Sequence, residues 1–187
     1  MASPPTAVAL RSPSKYTPAP PATFSAPPVD WLLRTWTVTH STLAMWRDAR
    51  NVRISYAALD PKPDGTARVD DLSVKGVDTA SQAGDTSAWD WRGKGWLFFV
   101  GSHWEVLGWG EREVAGGARE RWVVTWFAPT LFTKEGVDVY CDRKEGLSEE
   151  GYKEVLEGLK GLEATDVVQM VEKDMRPVEI SLPWKET

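Results

Sequence analysis

From Asp30 to Cys141, apolar residues fall on alternate positions in short runs broken by clusters of Gly, Pro and Asp. Successive side chains of a strand point to opposite faces, so this period specifies half-buried β-sheet. Residues 35–40 set Trp36, Val38 and His40 against three threonines. Residues 51–59 set Val52, Ile54 and Tyr56 against Arg53 and Ser55, and Pro61-Lys62-Pro63-Asp64-Gly65 turns that run into a third, 67–75, which carries Leu72. After a polar stretch, 78–87, come runs over 95–100, 104–109, 121–128 and 136–141, separated by turn residues such as Ala115-Gly116-Gly117 and Pro129. Seven or eight strands joined by short turns escape naked edges by closing on themselves. The expected fold is therefore all-β, an eight-stranded antiparallel up-and-down barrel. At eight strands the interior is just wide enough for one small ligand.

The period changes once. Behind Ser148, a good N-cap, Tyr152, Val155, Leu156, Leu159 and Leu162 recur at helical spacing, with Leu147 and Tyr152 placed as a hydrophobic staple. This predicts a helix over 148–162 on the outer wall of the barrel. Val167, Val168, Met170 and Val171 fit either a second helix or a returning strand. Residues 1–29 hold eight of the thirteen prolines, no acidic residue, and only Arg11 and Lys15 as charges. They read as a disordered lead before one domain, 30–187, with neither the basic start and apolar core of a secretory signal nor an Arg-rich amphipathic helix.

Twenty-two Lys and Arg against 27 Asp and Glu give a net charge of −5. Phosphate neutralisation needs a concentrated basic face, so no nucleic-acid partner is expected. No apolar stretch approaches the roughly 18 to 20 residues of a membrane span. A single cysteine, Cys141, and two histidines provide neither a disulfide framework nor a zinc motif. The expectation is a cytoplasmic monomer or weak dimer without metal or cofactor.

The end of the barrel region has a distinctive order. Trp122-Val123-Val124 leads through a hairpin into Val137-Asp138-Val139-Tyr140, then Asp142-Arg143, then Leu147-Ser148 opening the helix, while Arg34-Thr35-Trp36 begins the first strand. Over about residues 31 to 175 this resembles the lipocalin family of the calycin superfamily. Trp91-Arg92-Gly93-Lys94-Gly95-Trp96 is similar to a segment of fungal lipocalin-like proteins. The resemblance implies a barrel closed at its base by Arg143 stacked on Trp36. It departs at Arg34, where lipocalins carry glycine, and in lacking their paired cysteines.

Eleven tryptophans must be buried or must line something. The expected lining is Val38, His40, Ile54, Tyr56, Leu72, Trp104, Trp109 and Trp126. Alternation leaves the inward face open between Trp104 and Trp109, and both faces of 122–127 are apolar. His40 and Tyr56 are the polar groups expected to orient a ligand, or to act on it if the barrel is an enzyme. Against this, His40 also suits a solvated rim and Tyr56 a packed core. His103 reads as a turn residue, Trp91–Trp96 as a hairpin, and Cys141 as a small buried residue. No nucleophile elbow or phosphate loop is present. The function expected is binding of a small hydrophobic or aromatic molecule. The alternative is a lipocalin-fold cyclase or isomerase of fungal secondary metabolism.

Overall fold

The strand pairing closes on itself. In the computed structural model, which describes residues 8–131 and 133–183, the barrel strands are β1 (Thr35–Ser41), β2 (Arg53–Leu59), β3 (Arg68–Asp71), β4 (Gly76–Gln82), β5 (Asp85–Gly93), β6 (Gly101–Glu113), β7 (Arg119–Phe127) and β8 (Gly136–Cys141). Each pairs antiparallel with the next, and β1 pairs with both β2 and β8. Short helices α1 (Val29–Leu32) and α2 (Ala44–Arg47) flank β1. After β8 come α3 (Glu149–Lys160), α4 (Thr165–Asp174) and the two-residue strand β9 (Arg176–Pro177). β2 occupies one edge of β1 over Thr35–Thr37, and β9 continues that edge at His40 and Ser41.

The expected strand bounds shift in one region. The polar stretch 78–87 is strand, forming most of β4 and the start of β5, whereas 95–100 is a loop with a 3-10 turn at Gly95–Leu97. On β4 the inward positions are Gly76, Asp78 and Ala80, each buried. A glycine and an acid on the inner face hide the alternation.

Two cores lie on the two faces of the sheet. Inside the barrel, Trp36, Val38, Ile54, Tyr56, Trp89, Trp104 and Trp109 pack together. Outside, Trp122, Trp126, Val137 and Val139 meet Val155 and Leu159 of α3 and Val167 and Val171 of α4. The ambiguous cluster at 167–171 is thus a helix. Ser148 caps α3, its Oγ accepting from Gly151 N (3.1 Å) and donating to the buried Glu120 (2.6 Å).

Residues 8–28 do not form the free lead expected from their prolines; Met1–Ala7 lie outside the described residues. Leu10 fills the space beside Gly108, where a Cβ would stand 2.2 Å from its Cδ2. Arg11 donates to the carbonyls of Leu107, Val106 and Ser87 and pairs with Glu105 at 2.8 Å. Further on, Ser25 accepts from the Trp109 indole (2.7 Å) and Pro27 from the Thr86 hydroxyl. A proline-rich segment cannot satisfy its own backbone, but the barrel wall supplies the partners.

α1 seals the base. Trp31 meets Trp109 with centroids 4.8 Å apart, and Leu32 O accepts from the Trp36 indole (3.0 Å). The guanidinium over Trp36 belongs to Arg34 (5.3 Å), which also faces Trp31 (5.0 Å). Arg143, expected in that place, pairs with Glu120 and Glu145. The residue standing where lipocalins carry glycine provides the cation–π contact itself.

Candidate functional site

The barrel is filled at its base and hollow at the other end. A cavity of about 270 Å³ opens among the β1–β2, β3–β4, β5–β6 and β7–β8 connections. Its wall is mostly aromatic: Trp46 from α2, Tyr56 from β2, Trp91 from β5, Trp104 from β6, Phe127 from β7 and Tyr140 from β8. Trp104 is the centre of the stack. Its ring lies 6.0 Å from Tyr56, 5.8 Å from Trp89 and 6.3 Å from Phe127. Gly76 makes room for Trp91, whose indole nitrogen would stand 1.9 Å from any Cβ there.

Three carboxyls are sealed into the inner face, where apolar residues are the rule. Asp71 and Asp78 border the cavity; Asp138 accepts from the Tyr140 hydroxyl at 3.4 Å. Asp78 is fully buried, and its Oδ1 accepts from the Trp104 indole at 2.7 Å while Oδ2 has no hydrogen-bond partner. The Trp91 indole, directly opposite Asp78 across the β4–β5 pair, has an unpartnered N–H as well. Burial pushes the Asp78 carboxyl up to about 7, with Asp71 and Asp90 adding to the rise against the Trp104 bond. Burial also raises Asp138 to about 7, against bonds from Ser41, Tyr140 and Trp46. Asp71 is raised by burial too, and the Tyr56 and Tyr140 hydroxyls are pushed well above their ordinary value. Near neutrality Asp78 and Asp138 are therefore protonated in a substantial fraction of molecules, and in that form each is a hydrogen-bond donor.

Of the residues expected to line a ligand, the cavity brings together Ile54, Tyr56 and Trp104. Val38 and Trp109 face inward, in the filled part of the barrel. Both Trp104 and Trp109 point in because β6 bulges between Val106 and Gly108, resetting its alternation. Trp126 faces outward under the helices, where its indole donates to Glu135 (2.7 Å). Leu72 is exposed in the β3–β4 turn.

His40 is the main correction. A bulge between Val38 and His40 turns it out of the barrel, onto the Tyr152 ring of α3 at 3.4 Å and 5° between planes. Burial there lowers its pKa to about 4. His103 lies in β6 rather than in a turn, its Nδ1 2.9 Å from Asp90 and its Nε2 3.4 Å from Glu105. Cys141 is buried, its thiol pushed up to about 12 by that burial.

Sequence reasoning missed Trp46, Asp71, Asp78, Trp91 and Tyr140. The cross-strand register is what assembles them: Tyr56 opposite Asp71, and Asp78 opposite Trp91. An acid at the phase of buried neighbours, Gly76-Val77-Asp78-Thr79-Ala80, was the available signal for Asp78.

Together these features define a closed eight-stranded antiparallel barrel with a one-ended aromatic cavity and a helical pair packed outside. No protein-family model and no curated protein sequence matches the chain. Among the described residues no helix is long and apolar enough to cross a membrane.

Proposed function

We propose that this lipocalin-like barrel binds a small hydrophobic, ring-bearing molecule in its aromatic cavity, with a carbonyl of that molecule accepting from Asp78. The observation that carries the reading is a hollow walled by rings and bordered by the buried Asp78, one of whose carboxyl oxygens has no partner. Ligand sites are mostly apolar surfaces with a few placed polar groups, and the volume of about 270 Å³, just under the roughly 300 to 1,000 Å³ of such sites, suits a small compound. Because Asp78 Oδ1 accepts from Trp104, the proton of the acid form resides on Oδ2, the oxygen without a partner. The Trp91 N–H is a second donor on the same wall. Native mass spectrometry of the purified protein, followed by extraction of what co-purifies, tests this. A bound ring compound with a carbonyl is expected; a protein that ignores every aromatic ketone, polyketide, terpenoid and tetrapyrrole offered contradicts the reading.

The same carboxyl favours a second reading, a cyclase or isomerase. A protonated acid in an apolar wall lowers the barrier of a cyclisation by donating to the carbonyl oxygen as charge develops there, and it retakes its proton when product forms. Asp78→Asn keeps a donor in place but has no acid proton; Asp78→Leu has neither. A carrier therefore tolerates the first change and loses affinity with the second, by about 1 to 3 kcal/mol. An enzyme loses turnover in both while the Asn variant still binds product.

A further inference from the structure

The two ends of the barrel differ in what their loops expose. The connections around the cavity mouth carry Met45 between β1 and β2, Leu72 and Val74 between β3 and β4, Trp96, Phe98 and Phe99 between β5 and β6, and Leu131 between β7 and β8. With Leu182, these are all the large hydrophobic side chains that stand exposed among the described residues. Trp96 is 77% and Leu131 96% accessible. The opposite turns, at 60–67, 83–84 and 114–118, expose none. Exposed apolar groups concentrated in one place mark an interaction surface.

The charge of that end is also distinct. Within 42–52, 72–75, 94–100 and 128–135 the basic residues are Arg47, Arg50, Lys75, Lys94 and Lys134, against Asp48 and Glu135, a local excess of three positive charges in a chain of net −5. Lys94 pairs with Asp70 and Glu135 with Lys15, which leaves the excess unchanged. We propose that the open end of the barrel docks on an anionic lipid membrane surface, its rings entering the headgroup layer and its lysines and arginines facing lipid phosphates or carboxylates. One loop tip bearing Trp and two Phe, beside tips bearing Met, Leu and Val and fringed by cations, suits a soft, negatively charged surface, where aromatic rings settle at headgroup depth. The docking rests on these loops alone. Joined to the binding reading, it places the cavity mouth where an apolar compound can enter without crossing water.

Co-sedimentation with vesicles tests it, using phosphatidylcholine with a quarter phosphatidylserine against phosphatidylcholine alone. The full chain is expected to pellet with the anionic vesicles, less so as salt rises, and the combined variant Trp96→Ala, Phe98→Ala, Phe99→Ala to bind roughly tenfold more weakly or worse. These side chains are exposed, so the variant keeps its melting profile and its cavity binding, which separates a failure here from a failure of the binding reading. Arg47→Glu with Lys75→Glu should remove the preference for the anionic vesicles. Absence of co-sedimentation, or a triple variant that pellets like the wild type, overturns the proposal. Concentration-dependent self-association without lipid, abolished by the triple variant, overturns it as well and assigns the patch to a second copy of the chain.

Discussion

Asp78, Asp138 and His40 set opposing demands on pH. The two acids are raised to about 7 in the folded chain, above their unfolded values, so between about pH 4 and 7 the unfolded state has released protons that the folded state retains; stability falls as pH rises through that window. His40, depressed to about 4, acts in reverse, losing stability as pH falls from 6.5. Two groups against one make the decline with rising pH prevail, and His103, raised first by its Glu105 contact, extends it. At the acid end Glu105 sets the limit. Burial would raise it, but His103, Ser14 and Arg11 outweigh that and hold it at about 2, so its stabilisation is lost below the ordinary carboxylate range. Thermal melts from pH 3 to 9 should peak near pH 5, and Asp78→Asn should flatten the decline toward pH 8; a maximum above pH 7 would be incompatible with sealed, protonated acids. Arg11→Ala strands Glu105, 1% exposed, with one charge partner fewer and should cost about 3 kcal/mol in chemical denaturation. A loss within about 0.5 kcal/mol would contradict the Arg11–Glu105 pair as a support of the wall.

At the scale of elements, single-residue bulges decide which side chains meet. The type of β1 and β6 was legible from alternation, and so was α3 from its cap and stripe. The faces beyond a bulge were not, because one inserted residue inverts every later assignment. That is why His40 faces Tyr152 and why both Trp104 and Trp109 point inward. Asp78 stayed hidden for a related reason: β4 carries an inward acid where a strand is recognised by apolar residues. Gly76 belongs to the same element. Gly76→Ala pushes a Cβ into the Trp91 indole and should destabilise by about 1 to 3 kcal/mol while weakening ligand binding. Near-ultraviolet circular dichroism of the tryptophans checks the displacement, and an unchanged spectrum with unchanged melting would refute it.

For the whole molecule, closure organises everything else. Eight strands leave no long edge, α1 with Arg34 and Trp31 closes one end, and α3 and α4 cover the outer face of β7 and β8. The barrel and its terminal helix were readable in the sequence as repeated period-2 runs giving way to one helical stripe. The packing of residues 8–28 was not, since Arg11 finds Glu105 only after the barrel has formed. The other end is left open, with its aromatic lining. The most direct measurement is a fluorescence titration with an apolar dye such as N-phenyl-1-naphthylamine, comparing the wild type with Ser102→Trp. Ser102 lies on the cavity wall opposite Trp91, so a new indole there fills the hollow. Saturable one-to-one binding that the filled variant loses, while melting as the wild type does, is the expected result. Equal binding by the two proteins, or none by the wild type, would contradict the cavity as a ligand site.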